Sequence, residues 1–114
     1  MSKSPTPVAV PNIPGDLPGA DLVAAGVAAL HRGAVTVEAL LVTIGAPRLR
    51  DAGLQFPDPP PLERAPEMAL YDALCRASDV DDPYGRYNSL LRRLVSFERA
   101  LEQRNARTRE PAAG

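Results

Sequence analysis

The sequence predicts an all-α fold, a small bundle of four main helices at about 18–32, 36–45, 66–77 and 83–105, with a short helical turn at 47–52. Three observations predict it. Apolar residues recur three and four positions apart in separate stretches, cap residues and prolines stand ahead of those stretches, and no stretch alternates apolar with polar as a strand would. No internal repeat is present.

The first helix opens with Pro18 in its first turn or with Asp21 as its cap, and runs through Leu22, Val23, Val27 and Leu30. Between these lie Ala24, Ala25, Gly26, Ala28 and Ala29. Side chains this small let another helix approach closely, at some cost in helicity at Gly26. Gly33 follows where a left-handed residue is wanted. Thr36 caps the second helix, and Glu38 complements the positive end of its dipole. Val37, Leu40, Leu41 and Ile44 fall at i, i+3, i+4 and i+7, with Ala39 and Val42 behind them. A helix apolar nearly all round belongs in the middle of a fold.

Gly45 ends that helix, and Pro47 opens the short turn that Gly53 closes. Residues 54–65 (LQFPDPPPLERA) form a proline-stiffened loop. Pro66 starts the third helix, which packs Leu70, Ala73, Leu74 and Ala77, with Met68, Tyr71 and Cys75 widening the same face. Asp82 ahead of Pro83 is a cap followed by proline at the first helical position. In the last helix Tyr87, Leu90, Leu94, Phe97 and Leu101 are separated by three, four, three and four. At 100° per residue they cover only about 80° of the wheel. Tyr84, Leu91 and Val95 extend that arc to roughly 160°.

Outside the periodic segments, residues 1–17 read as a disordered Pro-rich tail and 106–114 as a second tail, leaving 18–105 as a single helical domain. A domain of this size buries only about 60–65% of its unfolded surface, which makes self-association a natural way to hide more. With two Phe, three Tyr and no Trp, its interior must be filled by Leu, Val and Ala. Lys3 is the only lysine among 13 basic residues, and Ala, Gly and Pro are abundant, a bias that reads as a bacterial-type, genome-wide codon preference. It lowers the weight of any single Arg.

The single cysteine, Cys75, forms no intrachain disulfide, the start has no basic region followed by an apolar run, and the longest apolar run is Leu22–Leu30. A bilayer span needs roughly 20 residues. A cytoplasmic protein that does not span a membrane is the expectation.

Catalytic chemistry has few carriers. One His and one Cys are present, so any nucleophile–base arrangement routes through His31, whose place beside Arg32 at the end of the first helix suits a dipole role. No histidine pair or Gly-rich phosphate loop appears, so no cofactor or metal is expected. Asp79, Asp81 and Asp82 have the spacing that opens a calcium loop, but Pro83 and Tyr84 occupy its fifth and sixth positions, and helix capping accounts for the cluster. The 23–44 segment has a helix–turn–helix rhythm, yet its second helix carries no base to read a DNA groove. A small enzyme acting through Arg and carboxylates ranks last among the readings.

Charge and apolar surface carry more. Residues 1–82 hold six basic and eleven acidic side chains, whereas 83–114 hold seven and three. Arg86, Arg93 and Arg104 line one flank of the last helix, and Arg92 and Arg99 point away from the core. These five are the candidate contacts for an acidic partner or for nucleic acid. Tyr84, Tyr87, Leu91 and Val95 are the candidate interface to a partner helix or to a second copy, since the arc is wider than one contact uses. In a homodimer, Glu98 and Glu102 are expected to offset Arg86 or Arg93 of the other copy. The functional expectation is a non-catalytic helical interaction or regulatory module, a homodimer among its forms. The alternative is a nucleic-acid-associated protein using the Arg-bearing last helix.

Overall fold

A computed structural model of the chain describes residues 13–109. Among these residues the regular structure is helical throughout: α1 (Ala20–His31), α2 (Val37–Ile44), α3 (Ala46–Asp51), α4 (Pro66–Arg76) and α5 (Pro83–Arg109). The predicted bundle of four main helices with a short extra one is therefore the observed architecture. α1 and α2 form a tight pair, α4 packs on α2, and α5 lies along α4 and crosses the ends of α1 and α2.

Local chemistry accounts for most boundaries. Thr36 Oγ1 accepts from the Ala39 N–H at 3.0 Å, and Asp82 Oδ1 accepts from the Gly85 N–H at 3.1 Å, so both predicted caps are in place. Gly33 takes φ 74° after α1. Other boundaries move. α1 begins at Ala20, and neither Pro18 nor Asp21 caps it: Gly19, in a left-handed conformation at φ 78°, is its N-cap, and Asp21 lies inside the first turn. Gly45 ends α2 and caps α3 at once, so α3 starts at Ala46 rather than at Pro47. α4 stops at Arg76 because Ala77 turns extended. α5 runs on to Arg109, past the predicted end at 105, with Asn105 donating to the Ala52 carbonyl at 2.7 Å and Arg104 bonded to Asp16 at 2.7 Å.

That last contact also revises the tails. Residues 1–12 and 110–114 lie outside the described residues, but Ile13 and Leu17 pack against the core and Asp16 holds α5. The packed chain thus includes residues assigned to the tail. Apolar side chains between prolines are enough to dock a segment that has no helical period.

The core is built from Val23, Val27, Leu41, Val42, Leu49, Leu70, Leu94 and Leu101 around Phe97, the largest fully buried side chain. The loop adds two members that periodicity did not identify. Leu54 and Phe56 are buried, and the Arg50 guanidinium lies 4.5 Å from the centre of the Phe56 ring while bonding its carbonyl at 2.8 Å. Small residues set the spacing of α1 and α2. At Gly26 a Cβ would stand 2.3 Å from the Glu38 carbonyl oxygen and 2.5 Å from a Val42 methyl. The predicted close approach is real, and it falls at the one residue of α1 without a side chain.

Two substitutions test this packing. Leu94 is 3% exposed, so Leu94→Ala is expected to cost about 2–5 kcal/mol in denaturant titration. A loss under about 1 kcal/mol would mean that the site collapses and does not carry the core. Gly26→Ala improves helix propensity by about 1 kcal/mol yet is expected to destabilise by about 1–3 kcal/mol, because the new methyl must push α2 away. A gain in melting temperature would contradict the close crossing.

Candidate interaction face

α4 and α5 are joined by only the residues 77–82, and this short connection turns the chain back on itself. Leu70 and Leu74 of α4 and Leu90, Leu94, Phe97 and Leu101 of α5 point inward and are buried. The face of α4 that Met68, Tyr71 and Cys75 were predicted to widen inward is instead in solvent: Met68 is 46% exposed, Tyr71 36%, and Cys75 is exposed too. The reason is geometric. α4 packs chiefly on α2 and α5, and its two leucines serve both.

These side chains continue onto α5. The Tyr71 and Tyr87 rings meet edge to face with centroids 6.0 Å apart. The neighbouring Cys75 thiol raises the Tyr71 phenol above its ordinary pKa. Along α5 the stripe runs through Tyr84, 66% exposed, half-buried Tyr87 and Leu91, and Val95, 36% exposed. Leu91 and Val95 sit in a shallow groove with Asn88, Ser96, Arg92 and Arg99. The four predicted interface residues are thus brought together, and α4 contributes Met68 and Tyr71 to the same surface. Spacing within α4 placed those two on one face but gave no sign of which way that face turned.

The five arginines fall on two sides of α5. Arg93 bonds Asp21 at 3.1 Å, and Arg104 bonds Asp16 at 2.7 Å, a contact that lowers the Asp16 pKa. Arg86 and Arg93 line a cleft of about 350 Å3 between α1, α2, α4 and α5, together with Glu38 and Asp79. Two of the predicted cations, Arg93 and Arg104, thus pair with acids of their own chain, and Arg86 shares the cleft with two more. Arg92 and Arg99 lie on the opposite side, exposed, with no ion pair among the described residues.

Glu98 and Glu102 are not available to another copy. Arg48 of α3 grips Glu102 through two bonds of 2.8 and 2.9 Å and reaches Glu98 at 3.1 Å. Glu98 is 5% exposed beneath Gly45, where a Cβ would stand 2.7 Å from its Oε2. Burial raises the Glu98 pKa and the Arg48 charge partly offsets that, whereas the hydrogen bonds from Arg48 lower that of Glu102. Wheel position placed these carboxylates beside the apolar arc, but only the fold brings Arg48, some fifty residues away, against them.

Elsewhere, His31 is exposed at the end of α1. Among the described residues there is no group of three His, Cys, Asp or Glu placed to hold a metal ion, and no helix is long and apolar enough to cross a membrane. No protein-family model, curated protein or solved structure matches the chain.

The Arg48 clamp makes a pH-dependent prediction. Glu98 has a folded pKa above its ordinary 4.5, so its contribution to stability falls as pH rises through that interval. Glu102 has a lowered folded pKa, so its contribution is present above the ordinary value and lost on acidification. Removing the cation worsens the first and abolishes the second. Arg48→Met is therefore expected to lower the melting temperature, with a deficit that grows from about pH 4 to pH 7. Adding Glu98→Gln should recover part of it. A deficit independent of pH would show that Glu98 carries no unpaired charge in the variant.

Proposed function

We propose that this chain is a non-catalytic protein-interaction module whose working surface is the α4–α5 face. One observation carries the reading: Met68, Tyr71, Tyr84 and Val95 are exposed around half-buried Tyr87 and Leu91, with Tyr71 and Tyr87 in contact across the two helices, in a fold that has few large apolar side chains and buries most of the others. Exposed apolar residues scattered singly are ordinary, but a patch shared by two packed helices marks an association surface. Tyrosine suits such a surface, since its ring buries large area and its hydroxyl stays hydrated.

The mechanism is burial of this face, with Arg92 and Arg99 at its rim orienting the partner. The balance of charge supports this reading over nucleic-acid binding. Arg93 and Arg104 pair with acids on one side of α5, where Arg86 also lies, while Arg92 and Arg99 lie on the other, so the described arginines fall on two separate flanks rather than on one track for a phosphate backbone. We place the protein in the cytoplasm, where its lone exposed Cys75 stays reduced.

A photo-crosslinking residue at Val95, introduced in the full chain in cells, tests the proposal. Cross-linked products are expected to be protein and to disappear when Leu91 is changed to Glu. Cross-links to nucleic acid, or no adduct at position 95 while a control position reacts, would overturn it.

A further inference from the structure

The partner can be named from the order of charges along the face. The acids Asp81 and Asp82 stand at the N-terminal end of α5, the apolar Tyr84, Leu91 and Val95 follow, Arg99 stands beyond them, and Arg92 flanks the middle. Elsewhere, Arg48, Arg50, Arg64, Arg93 and Arg104 are each bonded to an acid of the same chain. Asp81, Asp82, Arg92 and Arg99 of this face form no ion pair among the described residues, and neither do Arg32, Arg76 and Arg86 outside it. A surface with negative charge at one end, positive charge at the other and an apolar centre complements itself when turned end for end.

We infer that the occupant of the α4–α5 face is a second copy of this chain, with the two α5 helices antiparallel about a two-fold axis near Leu91. The inference rests on the interaction reading above and adds the identity of the partner. At 1.5 Å per residue, an axis at Leu91 puts Arg99 about 12 Å to one side, level with residue 83 of the second copy. Each Arg99 then meets the Asp81–Asp82 end of the other chain, and the contact is made twice, as an isologous interface requires. Leu91 meets its own counterpart, Val95 lies level with Tyr87, and the stripe is closed along its length. The helix dipoles also oppose. A parallel pairing would instead set Arg99 against Arg99 and acid against acid, whereas the antiparallel one brings only the two Arg92 level with each other. Arg92, about 100° round the helix from Leu91, stays at the wet rim.

Glu98 and Glu102 take no part, because Arg48 already holds both. The electrostatic contribution to pairing therefore comes from Arg99 and the acidic end, and apolar burial carries most of the affinity. Raising salt should weaken the dimer only modestly, as screening acts on the rim and not on the buried stripe.

The test is sedimentation equilibrium of the purified full chain from about 1 μM to 1 mM, a range that spans weak to moderate dimer affinities. The average mass is expected to rise from one chain to two with concentration. Leu91→Glu, and separately Val95→Glu at an exposed position, should hold the protein at one chain while circular dichroism still shows a cooperative helical melt. Arg99→Glu should weaken dimerisation by on the order of tenfold, and adding Asp81→Arg should restore it, since the antiparallel geometry places those positions together.

A single-chain mass at every concentration would overturn the inference. A dimer indifferent to both glutamate variants, or a charge reversal that Asp81→Arg fails to rescue, would do the same. These outcomes are separable from failure of the wider reading: a monomeric chain that still cross-links through position 95 to a different protein loses the second copy and keeps the interaction face.

Discussion

The structure depends on how closely α1 and α2 approach. With one Phe in the deep core and no Trp, the interior lacks side chains able to bridge wide gaps, so the helices themselves must come together. Gly26 permits this by bringing bare backbone under the Glu38 carbonyl and a Val42 methyl. The pair then presents Val23, Val27, Leu40, Leu41 and Val42 as a dense apolar block, on which α4 and α5 find enough surface to bury two and four large side chains respectively. Dispersion and burial per residue are modest for Val and Ala, and close packing compensates by leaving little empty space.

α5 is held by different means along its length. At its N-terminal end it is held by Asp82 capping and by the turn back from α4. In the middle the leucines and Phe97 are buried. Towards its C-terminal end apolar residues give out, and polar contacts take over: Arg48 on Glu98 and Glu102, Asp16 on Arg104, and Asn105 on the Ala52 carbonyl. Exposed pairs of this kind add little individually. Glu98 is different, because a carboxylate 5% exposed requires its cation. The clamp therefore fixes the orientation of α3 against α5 more than it adds stability.

The same division explains why one surface is left over. The buried side of α5 is satisfied by its own chain, and α4 is covered on the side of Leu70 and Leu74 alone. What remains is the outer edge of the α4–α5 pair, where rings and aliphatic side chains meet water between an acidic and a basic end. A marginal domain gains most by hiding surface of that type, which is the physical ground for the proposal that the protein associates there.

From the sequence by itself, the helices, their order, most of their caps and the inward stripe of α5 were determined, because each is a local matter of period, capping chemistry and backbone freedom. The four predicted interface residues of α5 also share a face by helical spacing alone. Tertiary structure decided what local rules do not reach. It turned Met68, Tyr71 and Cys75 of α4 outward, since the number of neighbours around a helix, and not its own pattern, selects the buried face. It drew Phe56 into the core and docked Ile13 and Leu17, since irregular segments carry no period to read. It also gave Arg48 to Glu98 and Glu102 and paired Arg93 and Arg104 with Asp21 and Asp16, since an ion pair between residues some fifty to ninety positions apart exists only once the chain has folded.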